Sequence, residues 1–145
     1  MKKYRLGYTT GVFDMFHIGH LNLLKRAKEQ CECLIVGVST DELTLEAKNK
    51  RPIFPYAERL SIVEAIGVVD KVVPQVNKDK FAAWEKYKFD AMFVGDDWKG
   101  KPLFADAEVR LNQVGVDVIY LPYTGGVSST KLHGIVSQLE NTYGV

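Results

Sequence analysis

Apolar and polar positions alternate with two periods along this chain, and the changes of period mark its elements. Arg5-Leu6-Gly7-Tyr8-Thr9-Thr10 reads as a short β-strand. Leu21 to Lys28 keeps a helical rhythm in which Leu21, Leu24, Ala27 and Cys31 share one face, while Asn22, Lys25, Arg26 and Glu29 point to water. Leu34-Ile35-Val36-Gly37-Val38-Ser39 is a continuous apolar run, which suits a strand covered on both faces, as in a parallel sheet. Ser39-Thr40-Asp41-Glu42 reads as a helix start with acids in its first turn. Lys48-Asn49-Lys50-Arg51-Pro52 is polar, basic and broken by proline, so an exposed loop is expected there. From Pro55 to Ile66 the helical period returns, with Leu60, Val63 and Ile66 inward and Glu58, Arg59 and Glu64 more exposed.

The second half repeats the alternation. Lys71 to Val76 predicts a strand, Asp79 to Tyr87 a short helix containing Trp84, and Ala91 to Gly95 a fourth strand. A helix around Ala105–Val114 leads to a last strand, Val116 to Leu121. Pro122 to Gly126 is a turn, after which Ser128-Ser129-Thr130 caps a closing helix through Leu139. No repeat, linker or low-complexity segment interrupts this order. The pattern predicts a single-domain α/β protein, residues 1–145, with a doubly wound five-stranded parallel sheet and right-handed crossovers. In such folds ligands sit outside the carboxyl ends of the strands, near the switch in strand order. Thr9 to His20, Ser39 to Asp41, Gly95 to Trp98 and Thr124 to Thr130 all follow predicted strands.

Composition narrows the class of partner. Of 145 residues, 46% are hydrophobic and 26% charged, as in an ordinary globular domain, and the formal net charge is +1. No global field therefore draws the chain to nucleic acid or to a membrane, and any phosphate site must be local. No apolar run approaches the roughly 20 residues of a membrane span, and Met1-Lys2-Lys3 leads into a strand rather than an apolar signal core. A cytoplasmic protein without nucleic-acid partner or membrane insertion is expected. Cys31 and Cys33 are the only cysteines; a C-x-C pair without a second pair predicts reduced, largely buried thiols rather than a zinc site.

The candidate chemistry gathers in Gly11-Val12-Phe13-Asp14-Met15-Phe16-His17-Ile18-Gly19-His20, between the first strand and the first helix. A helix N-terminus offers free backbone N–H groups and the positive end of the helix dipole, a seat for phosphate. His17 and His20 lie three apart, so both face one side as the helix begins, and Gly19 lets a ligand approach the backbone. A lone histidine here would be read as a cap or a core filler. The whole string in this context points to function.

That string resembles the H-x-G-H signature of the nucleotidyltransferase superfamily, and its fuller form resembles the cytidylyltransferase branch; with Gly95-Asp96-Asp97-Trp98 and the chain length, the resemblance points to the bacterial glycerol-3-phosphate cytidylyltransferases. The resemblance implies a Rossmann-like nucleotidyltransferase fold and extends from about Arg5 to Leu132. Similar enzymes carry two lysines two apart that close over the triphosphate, where this chain has Lys48 and Lys50. They carry an arginine that reaches the phosphates of CTP or of the acceptor, matched by Arg59; Asp41 is grouped with it on the acceptor side. Gly95-Asp96-Asp97-Trp98 resembles the glycerol-3-phosphate branch, with Asp96 or Asp97 accepting from ribose or cytosine and Trp98 walling the nucleotide. Tyr123-Thr124-Gly125-Gly126-Val127-Ser128-Ser129-Thr130-Lys131 resembles a second phosphate cradle. Gly67 and Tyr123 stand where similar enzymes have basic residues, which removes two expected cations.

The reaction so implied is CTP plus a phosphorylated alcohol giving a CDP-alcohol and pyrophosphate. The acceptor phosphate is already anionic near neutrality, so catalysis reduces to positioning and charge neutralisation at phosphorus. His17, His20, Lys48 and Lys50 are the expected catalytic residues. Thr10, Gly11, Val12, Phe13, Asp14, Gly19, Asp96, Asp97, Trp98, Tyr123, Thr124, Val127, Ser128, Ser129 and Thr130 are expected to line the nucleotide. Of these Asp14 is expected to orient the loop or a substrate group rather than act as a base. Mg²⁺ is expected to bridge phosphate oxygens, since the sequence offers no obvious protein cage for a metal. The resemblance also implies a homodimer with the N-terminal motif near its interface. The rivals are transfer to phosphoethanolamine or ribitol 5-phosphate, adenylyl transfer from ATP, and a nucleotide-binding module without turnover.

Overall fold

A computed structural model describes residues 2–95 and 101–122, with positions 135 and 138 beyond them. In chain order the elements are β1 (Tyr4–Gly11), α1 (Ile18–Gln30), β2 (Cys31–Ser39), α2 (Asp41–Lys48), α3 (Tyr56–Glu64), β3 (Lys71–Gln75), α4 (Lys80–Tyr87), β4 (Ala91–Gly95), α5 (Pro102–Gln113) and β5 (Asp117–Leu121). All five strands are parallel, in the order β3-β2-β1-β4-β5. The chain thus winds outward from β1 to β3, returns to the other side of β1, and continues through β4 to β5. The reversal lies between β1 and β4, which opens a crevice at their carboxyl ends.

The apolar run of β2 is explained by its place inside the sheet. Leu34, Val36 and Val38 face one side, where Leu24 and Ala27 of α1 and Val63 of α3 cover them. Ile35 faces the other side, in a core built with Met92, Val94, Phe104 and Leu111 and flanked by Phe81 and Trp84 of α4. Helices on both faces make the sheet doubly wound, as the alternation predicts. Leu24, Leu34, Met92 and Leu111 are completely buried, and each such side chain stabilises the fold by roughly 1.5–3 kcal/mol through area removed from water. Close packing also fixes a glycine in β1. A Cβ at Gly7 would stand 2.6 Å from the Phe93 ring and 2.7 Å from Cys31 Sγ.

Several expectations need correction. α1 stops at Gln30, and Cys31 opens β2, where it pairs with Tyr4 instead of extending the helical face. β2 accordingly begins three residues before Leu34, because β1 reaches back to Tyr4 and offers it a ladder to pair with. α2 runs through Lys48, and the left-handed backbone of Asn49 (φ 53°) ends it. Arg59, expected on the outer face of its helix, is completely buried. Both cysteines are free, Cys31 buried and Cys33 half-buried. The predicted closing helix lies outside the described residues, apart from helical positions 135 and 138.

Candidate active site

At the carboxyl end of β1 the chain turns sharply before α1. Two residues other than glycine take left-handed backbone here, Phe13 (φ 55°) and Met15 (φ 50°), with Asp14 between them. Such conformations are costly for L-residues and persist where surrounding contacts hold them. Gly11 just before leaves room for the Phe13 ring, which a Cβ there would approach to 3.0 Å.

His17 caps α1 and His20 sits one turn in, and the two rings close a reciprocal capping box. Gly19 N–H donates to His17 Nδ1 (3.0 Å), and His17 N–H donates to His20 Nδ1 (3.2 Å). The rings stack with centroids 3.9 Å apart, and His20 also packs on Phe13 and Phe16. A neutral imidazole that accepts on Nδ1 carries its proton on Nε2. Burial lowers the pKa of His17, and it lowers that of His20 to about 4; the neighbouring His17 pushes His20 down further, against a pull upward from Asp14. Both rings are therefore neutral near pH 7, each with its proton on Nε2. Among the described residues, His17 Nε2 is buried without a partner. A buried donor left unpaired costs about 1–3 kcal/mol, which an arriving anionic oxygen would recover.

The remaining predicted residues fall into three groups. Thr10, at the end of β1, accepts through Oγ1 from Lys80 Nζ of α4 (2.9 Å). Lys80 is not among the residues that the sequence points to. It lies in the polar run Asn77-Lys78-Asp79-Lys80, which on pattern alone is a solvated helix start, and only the sheet topology brings it to β1. Its position just after β3 is the signal the sequence carries. Burial, with a contribution from Lys78, lowers its ammonium to about 8. It borders a cleft of about 140 Å³ whose walls include Tyr8, Gln75, Asn77 and Tyr87.

The second group joins the turn to the segment after α2. Asp14, 2% exposed, accepts from Ile53 N–H (2.7 Å) and Phe54 N–H (2.9 Å). Arg59 donates to Val12 O, Ser39 O and Phe54 O and pairs with Asp41 at 2.8 Å. Asp41 also accepts from Tyr56 N–H. Burial works to raise the Asp41 carboxyl, but these hydrogen bonds and the charges of Arg59 and Arg51 outweigh it and hold the group below its ordinary value. Arg59 and Asp41, expected on the acceptor side, thus spend their polar atoms on one another and on the backbone. Lys48 and Lys50 are exposed, three to five residues before the anchored Ile53.

The third group, Asp96, Asp97, Trp98, Tyr123, Thr124, Val127, Ser128, Ser129 and Thr130, lies outside the described residues. Gly67 does not belong to this end of the molecule. It leads to Asp70, whose N–H binds Leu34 O at the amino-terminal edge of the sheet, opposite the histidines. A basic residue at 67 is thus not missing from the anion site that this chain builds for itself. No described helix is long and apolar enough to cross a membrane.

Residues 8–134 match the model of a family described as cytidylyltransferase-like. The chain is 42% identical over 125 residues to the glycerol-3-phosphate cytidylyltransferase of Bacillus spizizenii, which covers 86% of this chain and 91% of that protein. It is 32% identical to the FAD synthase of Thermococcus sibiricus, over 98% of this chain and 96% of that one. Among solved structures, a lipopolysaccharide core biosynthesis protein from Thermoplasma volcanium superimposes with a TM-score of 0.70 at 28% identity, covering 86% of this chain and 99% of that one.

Proposed function

The chain belongs to the cytidylyltransferase-like family, and from that premise we propose that it transfers CMP from CTP to glycerol 3-phosphate, releasing pyrophosphate and forming CDP-glycerol. The observation that carries the chemistry is the stacked pair His17 and His20, with its unpaired, buried Nε2–H at the head of α1. The choice of base and acceptor rests on the 42% identity to a glycerol-3-phosphate cytidylyltransferase.

An oxygen of the acceptor phosphate attacks the α-phosphorus of CTP, and the bond from that phosphorus to the pyrophosphate oxygen breaks on the opposite side. Charge builds on the bridging and non-bridging oxygens during the transfer. The two Nε2–H groups donate to those oxygens, fixed in advance by the capping box, so little reorganisation is needed as the charge appears. Lys48 and Lys50 approach the phosphates from the exposed segment. Lys80, beside Thr10 and the cleft, supplies the cation for the acceptor phosphate. CTP enters as its Mg²⁺ complex. There the ion would neutralise charge on the triphosphate; no trio of His, Cys, Asp or Glu among the described residues could hold it. A cytoplasmic homodimer goes with this reading, and Ile18, 52% exposed beside the histidines, is the apolar side chain on offer at the N-terminal motif.

Adenylyl transfer is the second reading, favoured by the FAD synthase that matches 98% of the chain. Pyrophosphate release distinguishes the two, with CTP and ATP each offered glycerol 3-phosphate, ribitol 5-phosphate, phosphoethanolamine and riboflavin 5′-phosphate. The proposal requires kcat/KM to be highest for CTP with glycerol 3-phosphate. Higher values for ATP with riboflavin 5′-phosphate would replace it.

A further inference from the structure

The exposed basic segment and the histidine turn come from separate parts of the chain, yet one carboxylate joins them. Asp14 sits between the two left-handed residues Phe13 and Met15, three positions before His17. Each of its oxygens takes one backbone N–H, Oδ2 from Ile53 and Oδ1 from Phe54. Ile53 is three residues beyond Lys50. Arg59 grips the same two strands of chain from beneath, with Val12 O at 2.7 Å and Phe54 O at 2.9 Å. A buried charge is normally satisfied by an opposite charge or by several hydrogen bonds; Asp14 takes two backbone N–H groups, and Arg59 combines three backbone carbonyls with Asp41.

We propose that Asp14 is a positioning residue which holds the Lys48–Phe54 segment and the His17/His20 turn in one geometry, so that lysines and imidazoles meet the same triphosphate. The proposal rests on the nucleotidyltransferase reading above, since that reading gives the two halves a common ligand. The mechanism is mechanical. The anchor shortens the free length of the basic segment, and it over-determines a strained turn that would otherwise relax and carry His17 with it. Displacements of about 1 Å at a reacting centre are enough to lower turnover about 100-fold. Asparagine in place of Asp14 keeps one acceptor oxygen but turns an NH₂ group toward the second N–H, so one of the two tethers is lost.

The test is a double-mutant cycle. Pyrophosphate release from CTP and glycerol 3-phosphate is measured for wild type, Asp14→Asn, Lys50→Ala and the double variant, each well below its melting temperature. Asp14→Asn should lower kcat by about 10–100-fold in the wild-type background and by a factor at least about threefold smaller once Lys50 is gone, the remainder coming through His17. A loss purely of stability would give the same factor in both backgrounds, and that result overturns the proposal. If Asp14→Asn does not fold, Ile53→Pro deletes one donor opposite the intact carboxylate and takes its place in the cycle. A wild type that releases no pyrophosphate from CTP or ATP would defeat the parent reading instead. The anchor is then read without ligand, by amide exchange. Ile53 and Phe54 should exchange at least about tenfold faster in Asp14→Asn than in wild type while the interior of α3 stays protected; unchanged exchange at both overturns it.

Discussion

The imidazole centroids of His17 and His20 lie 3.9 Å apart with the rings tilted by 26°, each taking a backbone N–H on Nδ1, and His17 Nε2 is buried without a partner among the described residues. Donors fixed in this way stabilise charge that appears only in the transition state. His17→Ala or His20→Ala should therefore lower kcat by about 10²–10³-fold, roughly 3–4 kcal/mol, with a much smaller change in KM for CTP. Steady-state kinetics decide it, and turnover near the wild-type rate in either variant would contradict the assignment.

The same pair predicts how stability follows pH. His20 titrates at about 4 in the folded chain and near 6.5 when unfolded. Between those values the unfolded state binds more protons, so stability falls as pH drops from about 6.5 toward 4 and is level on this account outside that window. Urea unfolding should show the decline, up to about 3 kcal/mol from this group. In His20→Asn the decline should shrink. An equal slope in both proteins would place the proton uptake elsewhere.

Lys80 should govern the acceptor more than the nucleotide. Lys80→Met is expected to lower kcat/KM for glycerol 3-phosphate about 10–100-fold while KM for CTP moves little, as loss of a charge-assisted contact to phosphate would do. Since the free lysine titrates at about 8, wild-type kcat/KM for the acceptor should decline above that pH. A flat profile to pH 10 would remove Lys80 from the site.

Lys48 and Lys50 are solvent-exposed, so their replacement should leave the melting temperature almost unchanged. Lys48→Ala and Lys50→Ala should each raise KM for CTP and slow turnover. Trypsin cleavage after these lysines should be slower with CTP and Mg²⁺ present. Equal cleavage with and without nucleotide would speak against a segment that closes.

Arg59→Met should cost roughly 3–5 kcal/mol, because it leaves Asp41 and three carbonyl oxygens without their buried partner. Asp41 is held below its ordinary pKa when folded, so its contribution is present near neutrality and is lost as pH falls through the folded value. That acid-side loss should be smaller in Arg59→Met. Chemical denaturation at neutral and acid pH measures both effects.

What the sequence reveals depends on whether a residue's role is local. β4 is legible to the residue, Ala91 to Gly95, because a strand covered on both faces must be apolar throughout. The histidine turn is legible because cap, glycine and spacing all fall within one short stretch. Arg59 is misread because periodicity sorts residues by polarity, and a cation whose donors meet Val12, Ser39 and Phe54 behaves as an interior residue while looking like a surface one. Lys80 escapes for a related reason. Its partner Thr10 is 70 residues away, and nothing local separates a lysine aimed at the site from one in solvent. Gly67 shows the converse, since alignment by family pattern counts it with an anion site that the fold places at the other edge of the sheet.

The capping box also settles a question of proton inventory. With both Nδ1 lone pairs given to the backbone and both Nε2 atoms protonated, the pair can lend hydrogen bonds but has no room to receive a proton. As far as these two rings go, an attacking group would have to arrive already ionised. A phosphate monoester does so at neutral pH, whereas a bare hydroxyl would need a base that these rings do not offer. If the pair meets the reacting phosphates as proposed, it would favour an acceptor ionised in advance over free glycerol, through the same hydrogen bonds that start the first helix.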